Sequence, residues 1–339
     1  MSLAFILSIL LVLGVVFVNG WTDAPNAIGS AVATKVLRPR LAIIVAVIFN
    51  FLGVLLMTYI SSEVADTITN MVDFGPSGSE QSLIVLTAAM FSIVIWAVAA
   101  WYFGIPTSES HALIAGITGA ALALGGVSAV NMKEWSKVLV GLVVSSVLGF
   151  GAGFGVARFI EKAFRRVNRQ KAESFFSKGQ AAAASVMAFL HGAQDGQKFM
   201  GVFMIALFLN GMAEKTAEGT FVIPIGVMVL CSVVMGLGTM VGGWRIIKTV
   251  GMDMVKMQTY QGFSSDIAAG ACLLFASLTG IPVSTTHTKT TAIMGVGTSR
   301  RASSVNWRIA LEMIYAWVLT FPGCGLIGYL MAKLFMAIF

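Results

Sequence analysis

The chain alternates long apolar stretches with short polar ones. Charged residues are absent from 1–22, 41–62, 81–108, 138–157, 219–244, 267–288 and 313–332. At ~1.5 Å of rise per residue, about 20 helical residues cross the hydrocarbon layer of a bilayer. The pattern therefore predicts an all-α polytopic integral membrane protein, because only helices and closed barrels satisfy their backbone hydrogen bonds at that depth. No Lys or Arg precedes Lys35, so the first run lacks the basic leader of a signal peptide and is read as a retained span.

Composition agrees. Of 339 residues, 57% are hydrophobic and 11% charged, against ~25% charged in soluble domains. A disordered chain, a disulfide scaffold, a nucleic-acid binder and an ordinary soluble enzyme are excluded. Cys231, Cys272 and Cys324 are odd in number and lie in apolar runs, which reads as packing rather than disulfides. The net charge of +7 is the surplus that basic cytoplasmic loops bring to a membrane protein.

The sequence repeats itself. Asn19-Gly20-Trp21-Thr22-Asp23 returns as His191-Gly192-Ala193-Gln194-Asp195, 172 residues later. Gly104-Ile105-Pro106-Thr107-Ser108-Glu109-Ser110-His111 returns as Gly280-Ile281-Pro282-Val283-Ser284-Thr285-Thr286-His287 at an offset of 176, and Val130-Asn131 as Val305-Asn306 at 175. Three matches in one order at nearly one offset indicate a duplication. The predicted units are a first transmembrane repeat at 1–165, a basic cytoplasmic linker at 166–178 and a second repeat at 179–339.

Loop charges set the orientation. After its first unit, half one carries Lys35, Arg38 and Arg40 without an acid, where half two carries Glu214, Lys215 and Glu218. After the next span the signs exchange: Glu63, Asp66, Asp73 and Glu80 oppose Arg245, Lys248 and Lys256 with one Asp253. Basic loops stay cytoplasmic, so the halves have inverted topology, a plan shared by many secondary transporters. Each half is expected to make two spans, a paired short element that returns to its own side, and a last span. Both termini then lie outside. Lys133 and Lys137 fall on the outer side, against the charge rule.

Two motifs interrupt the apolar runs. Gly-Ile-Pro at 104–106 and 280–282 should end a helix, since Pro lacks a donor and disfavours helix before it. The hydroxyls that follow, Thr107, Ser108 and Ser110, and Ser284, Thr285 and Thr286, are N-cap types ahead of helices expected from Ala112 and Thr290. A helix starting inside the membrane offers free N–H groups to an oxyanion. The competing reading is a simple kink, with hydroxyls bonded to the preceding turn.

The second motif is acidic. Asp23 and Asp195 sit in otherwise apolar segments, where a carboxylate is a candidate for function. Thr22 and Asn26, and Gln194 and Gln197, would supply oxygen ligands for Na⁺ at each copy. Lys198, three residues after Asp195, could instead make an internal ion pair. His111 and His287 could titrate near neutral pH or bond to a backbone carbonyl, and Glu109 could carry a proton or face a vestibule. Lys289 can pair, snorkel or assist an anion, while Asn50 and Asp266 are secondary polar positions. With His191 as the remaining histidine, no other metal is expected. No Walker loop is present, so ATP drive has no support.

At these residues the sequence resembles the inorganic phosphate transporter (Pit) family, in its compact bacterial form. The stretch from Asn19 to Ala27 is similar to the family's first signature, His191 to Lys198 to its second, and Pro282 to His287 and Val305 to Arg308 follow the same pattern. The resemblance implies cation-coupled symport of inorganic phosphate, with no cofactor beyond the coupling Na⁺ or H⁺. Asp23, Asn26, Asp195 and Gln197 would then line ion sites, and Thr107, Ser108, Ser110, Ser284, Thr285 and Thr286 would contact phosphate. Thr22 and Gln194 stand where many members have Asn, and Glu109 where many have Thr, which leaves Na⁺ and H⁺ both open. Sulfate is the alternative substrate; a passive anion channel and an intramembrane lipid-phosphate enzyme are remote ones. The expected setting is the plasma membrane, with the bilayer as partner, a homo-oligomer, and a soluble regulator at the basic linker.

Overall fold

The computed structural model describes residues 2–105, 107–241 and 243–339, so Pro106 of the first Gly-Ile-Pro lies outside the described residues. Regular structure among them is helical: α1 (Leu3–Thr22), α2 (Ala24–Ala33), α3 (Pro39–Ile60), α4 (Glu63–Met71), α5 (Glu80–Phe103), α6 (Glu109–Gly125), α7 (Met132–Ala163), α8 (Arg169–Leu209), α9 (Ile225–Val241), α10 (Trp244–Lys248), α11 (Thr259–Leu278), α12 (Thr285–Arg300) and α13 (Trp307–Ile338). Six stretches are long and apolar enough to cross a membrane, from Leu3–Ala33 to Trp307–Ile338. α8 is excluded from that set by its own polar residues, which belong to the site described below.

The duplication is visible in three dimensions. The α1–α2 unit corresponds to α8, and α3, α4, α5, α6 and α7 correspond to α9, α10, α11, α12 and α13. Packing is exchanged between halves: α6 lies on α13 and α12 on α7, while α1 lies on α9 and α8 on α3. Glycines permit the closest of these crossings. A Cβ on Gly20 would fall 2.2 Å from the Met235 carbonyl oxygen, and one on its repeat counterpart Gly192 would fall 2.4 Å from that of Asn50. Small residues at such crossings let helix backbones approach, which drives association where no hydrophobic force acts between helices.

Both helical pairs return to the face they left. The Asn131 amide donates to the Met71 carbonyl at 2.9 Å, and the Asn306 amide to that of Met254 at 2.9 Å, beside antiparallel bridges Val72–Val130 and Val255–Val305. These contacts tie the approach to each pair to its exit. α5, at 24 residues, is longer than the short limb expected.

Other loops sort onto two faces. On one, Thr34 bonds Gln180 at 2.9 Å, Thr259 bonds Glu173 at 2.6 Å and Tyr260 bonds Glu161 at 2.7 Å, which gathers the Lys35 loop, the basic linker and the start of α11. On the other, the Ser77 hydroxyl donates to the Phe208 carbonyl at 2.9 Å, and Leu3, Glu80 and Phe339 border one cavity. The two termini thus share the face of the acidic 61–80 loop, opposite the linker. Outward side chains such as Ile44, Ile48, Val143, Val147, Ile314 and Val318 are exposed and apolar, as a lipid-facing surface requires.

Candidate functional site

The centre of the molecule is where α6 and α12 begin. α5 ends at Gly104, whose φ of 70° supplies the left-handed cap that glycine adopts without a steric penalty, and Gly280, at φ 62°, turns the chain in the second half. The chain then starts a new helix with a serine cap: Ser108 Oγ accepts from the His111 amide at 3.4 Å and Ser284 Oγ from the His287 amide at 3.1 Å. The helices therefore begin at Glu109 and Thr285, three and five residues before the expected Ala112 and Thr290. The cap bond decides the start, and the polar residues after it are first-turn positions rather than loop.

The two caps touch. Ser108 Oγ and Ser284 Oγ are 2.7 Å apart, and the rings of His111 and His287 meet edge to face with centroids 4.1 Å apart. This is where a two-fold axis relating the halves would pass. The positive ends of two helices consequently meet in the protein interior. Thr107, Ser108, Ser110, Ser284, Thr285 and Thr286 are all buried there. The histidines are held by aromatic packing, His287 on Trp317 at 3.6 Å and His111 on Phe321 at 4.6 Å.

Each predicted acid flanks this centre and reaches across to hydroxyls. Asp23, at the break between α1 and α2 with Pro25 in the first turn of α2, accepts from Thr286 Oγ1 at 2.8 Å and Asn26 Nδ2 at 3.4 Å through Oδ1. Its Oδ2 accepts from the Glu109 amide at 3.3 Å. Asp195, inside the continuous α8, accepts from Ser110 Oγ at 3.5 Å through Oδ1 and from Thr285 Oγ1 at 3.2 Å through Oδ2. In the repeat Thr286 corresponds to Ser110 and Glu109 to Thr285, so each aspartate meets an equivalent pair, one hydroxyl from the opposite half and one first-turn residue of its own, through the backbone amide of Glu109 and the side chain of Thr285.

Around them, Lys198 Nζ lies 2.7 Å from Asp195 Oδ1 and 2.7 Å from Ser110 Oγ. Asn26 Nδ2 lies 2.9 Å from Thr286 Oγ1, and Thr22 Oγ1 donates to Glu109 Oε1 at 3.1 Å. Gln194 brackets the second hairpin tip, donating to the Ile281 carbonyl at 3.3 Å and accepting from the Val283 amide at 3.4 Å. Gln197 is fully buried, and both its amide atoms lack a hydrogen-bond partner among the described residues. Asn26 Oδ1 and Glu109 Oε2 are likewise buried without a partner.

Two residues join the site that sequence reasoning did not select. Asn19 Nδ2 donates to Asp195 Oδ2 at 3.1 Å. His191 Nε2 lies 3.3 Å from the same oxygen, a contact without hydrogen-bond alignment, while its Nδ1 is 2.8 Å from Asn50 Oδ1. Asn19 and His191 are counterparts in the repeat and open each acidic motif, which is the signal that could have found them. Ligand atoms of Asp23, His191 and Asp195 all lie within 4.8 Å of one another, close enough to share one cation. Asp266 and Lys289 form a separate buried ion pair with Ser30 and Ser265 around it. Lys289 is thereby paired rather than snorkelling.

Known proteins resemble this chain over nearly its whole length. The sequence profile described as "Phosphate transporter family" matches twice, over residues 19–172 and 164–328. A probable low-affinity inorganic phosphate transporter of Bacillus subtilis (strain 168) is 38% identical over 332 residues, 97% of each chain. One of Rhizobium meliloti (strain 1021) is 38% identical, covering 93% of this chain and 91% of its own. In fold, the chain is similar to a solved structure titled "The sodium-dependent phosphate transporter", with a TM-score of 0.86, 22% identity and full coverage of both chains. Two profile matches, one per half, and near-complete coverage by relatives that are transporters rather than enzymes show that this chain belongs to the phosphate transporter family.

Proposed function

We propose that the protein is a secondary active symporter that couples inorganic phosphate to a cation gradient by alternating access. The observation that carries this reading is the meeting of two capped helix N-termini, at Ser108 and Ser284, between two aspartates on mirrored elements. Free amides and hydroxyls at a helix start suit an oxyanion. Three buried carboxyl groups, Asp23, Glu109 and Asp195, gather at the site, and of these Asp195 is paired with the ammonium of Lys198. Adding phosphate to that set demands further positive charge, because buried charges persist only when paired. Asn26 Oδ1 and Glu109 Oε2, buried beside Asp23 and unpartnered, are the free oxygens to which Na⁺ or H⁺ would go.

Phosphate is favoured over sulfate by the same carboxyl oxygens. A phosphate that keeps a proton can donate to a buried acceptor, whereas sulfate at neutral pH cannot, and a site built to accept such a bond rejects the analogue without it. The surrounding topology is read as two repeats, 1–165 and 179–339, joined by a cytoplasmic linker at 166–178, with both termini outside. The test is uptake of labelled phosphate and sulfate into proteoliposomes with imposed Na⁺ or H⁺ gradients. Accumulation of phosphate above equilibrium with one cation gradient is expected. Uptake indifferent to collapse of both gradients refutes coupling, and equal accumulation of sulfate refutes the substrate assignment.

A further inference from the structure

One difference between the two halves of the site sets a neutral amide against an ammonium. Asn26 and Lys198 are repeat counterparts, each three residues after its motif aspartate, and each reaches the same place. Asn26 Nδ2 touches Asp23 Oδ1 and Thr286 Oγ1, while Lys198 Nζ touches Asp195 Oδ1 and Ser110 Oγ. Lys198 Nζ also donates to the Val283 carbonyl. A hydroxyl, a carboxylate and a carbonyl around one nitrogen use all three hydrogens of an ammonium, and they are the oxygen types that would surround Na⁺. The side chain is fully buried.

Unpartnered buried oxygens stand on both sides, Asn26 Oδ1 and Glu109 Oε2 by Asp23, and Asn19 Oδ1 and Gln197 Oε1 by Asp195. On the Asp195 side both carboxylate oxygens are engaged, Oδ1 by Lys198 and Ser110 and Oδ2 by Asn19 and Thr285. What differs is charge: at Asp195 an ammonium stands on a covalent stem, where at Asp23 the equivalent contacts are made by a neutral amide.

We propose that Lys198 is a built-in cation, its ammonium occupying the position at Asp195 whose counterpart at Asp23 and Asn26 receives a transported monovalent cation. The proposal rests on the symport reading and adds a stoichiometry to it: one coupling cation per phosphate, since the second position cannot empty. It also names Lys198 as the residue that sets this number. The ammonium, tied to the Val283 carbonyl, fixes the tip of the second hairpin throughout the cycle, whereas Asp23 is bridged to α12 by an ion that comes and goes.

The test has two independent arms. In proteoliposomes of the wild-type protein, the ratio of labelled Na⁺, or of H⁺ followed by a pH dye, to labelled phosphate is expected to be one; a ratio of two or more overturns the proposal. If no gradient drives phosphate at all, the symport reading fails and the second arm alone decides. There, Lys198→Asn, Lys198→Gln and Lys198→Met are compared with wild type for melting temperature in NaCl and in choline chloride. The Asn and Gln variants carry an oxygen that can complete a Na⁺ site, and each is expected to gain several degrees more from Na⁺ than wild type or Lys198→Met does. An equal gain in all four proteins overturns the proposal. Should none of the variants fold in either salt, the wild-type ratio remains decisive.

Discussion

Asp195→Asn and Asp23→Asn are the same chemical change at repeat-equivalent positions, yet their effects on stability should differ. In Asp195→Asn the amide oxygen can still accept from Lys198 at the present 2.7 Å contact. Its new NH₂ group then faces Asn19 Nδ2, at 3.1 Å, and the Thr285 hydroxyl, at 3.2 Å, both of which are donors to Oδ2 in the native site. The hydroxyl can turn to accept, so one hydrogen bond of ~1 kcal/mol, that of Asn19, is lost, and the ammonium is left buried without its counter-charge. Breaking a buried pair from one side costs about 3–5 kcal/mol. In Asp23→Asn, Oδ1 keeps its bonds to Thr286 and Asn26, and only the Glu109 amide at 3.3 Å meets a mismatched donor, a loss of about 1 kcal/mol. Against that loss, one of two neighbouring carboxyl groups is neutralised where no fixed cation stands. The expected gap is at least ~2 kcal/mol, with Asp195→Asn the less stable. Thermal unfolding of both purified variants in the same detergent and salt measures it. Equal stabilities, or the reverse order, would refute the assignment of Lys198 as the counter-charge of Asp195 alone. Transport separates the variants differently: gradient-driven uptake should vanish in Asp23→Asn despite its sound fold.

Ser284→Ala removes both the cap of α12 and the 2.7 Å bond to Ser108, and should cost about 1–2 kcal/mol in stability; the KM for phosphate uptake should rise, with Ser284→Thr restoring much of it. Lys289→Met and Asp266→Asn each strand half of a fully buried ion pair and should lose about 3–5 kcal/mol, while the double variant recovers most of the loss; a double-mutant cycle by thermal unfolding measures the coupling. Gly192→Ala places a Cβ 2.4 Å from the Asn50 carbonyl, so α8 and α3 must part and the protein should lose about 1–3 kcal/mol. Gly155→Ala, whose Cβ meets nothing within 4 Å in the interior of α7, should instead gain about 0.5–1 kcal/mol; similar melting temperatures for these two would show that the close crossing is unimportant.

What the sequence revealed and what it withheld divide along one physical line. Apolar runs, loop charges and repeat offsets are local quantities, and they were enough for an all-helical membrane protein with mirrored halves. The helix starts were legible in part: the hydroxyls marked them, but which serine caps each helix was not, and the helices begin three and five residues earlier than expected, at Glu109 and Thr285. Contacts between helices far apart in sequence were not legible. Asp23 bonds the backbone amide of Glu109, a contact any residue at 109 would make, so the side chain there carries no trace of its neighbour. Asn19 reaches Asp195 only because α1 lies against α8; its place at the head of the acidic motif marks the residue but not its partner. Lys198 shows the limit most plainly. Its spacing from Asp195 announced an ion pair, but the meaning of the pair depends on Asn26, 172 residues away. Only matching the contacts of one half to those of the other shows an ammonium standing where its twin has an amide nitrogen. In a duplicated protein the repeat is therefore its own control. Where the halves agree, the shared contacts build the paired helix starts, and where they differ, as Asn26 and Lys198 do, the difference carries the proposed cation count.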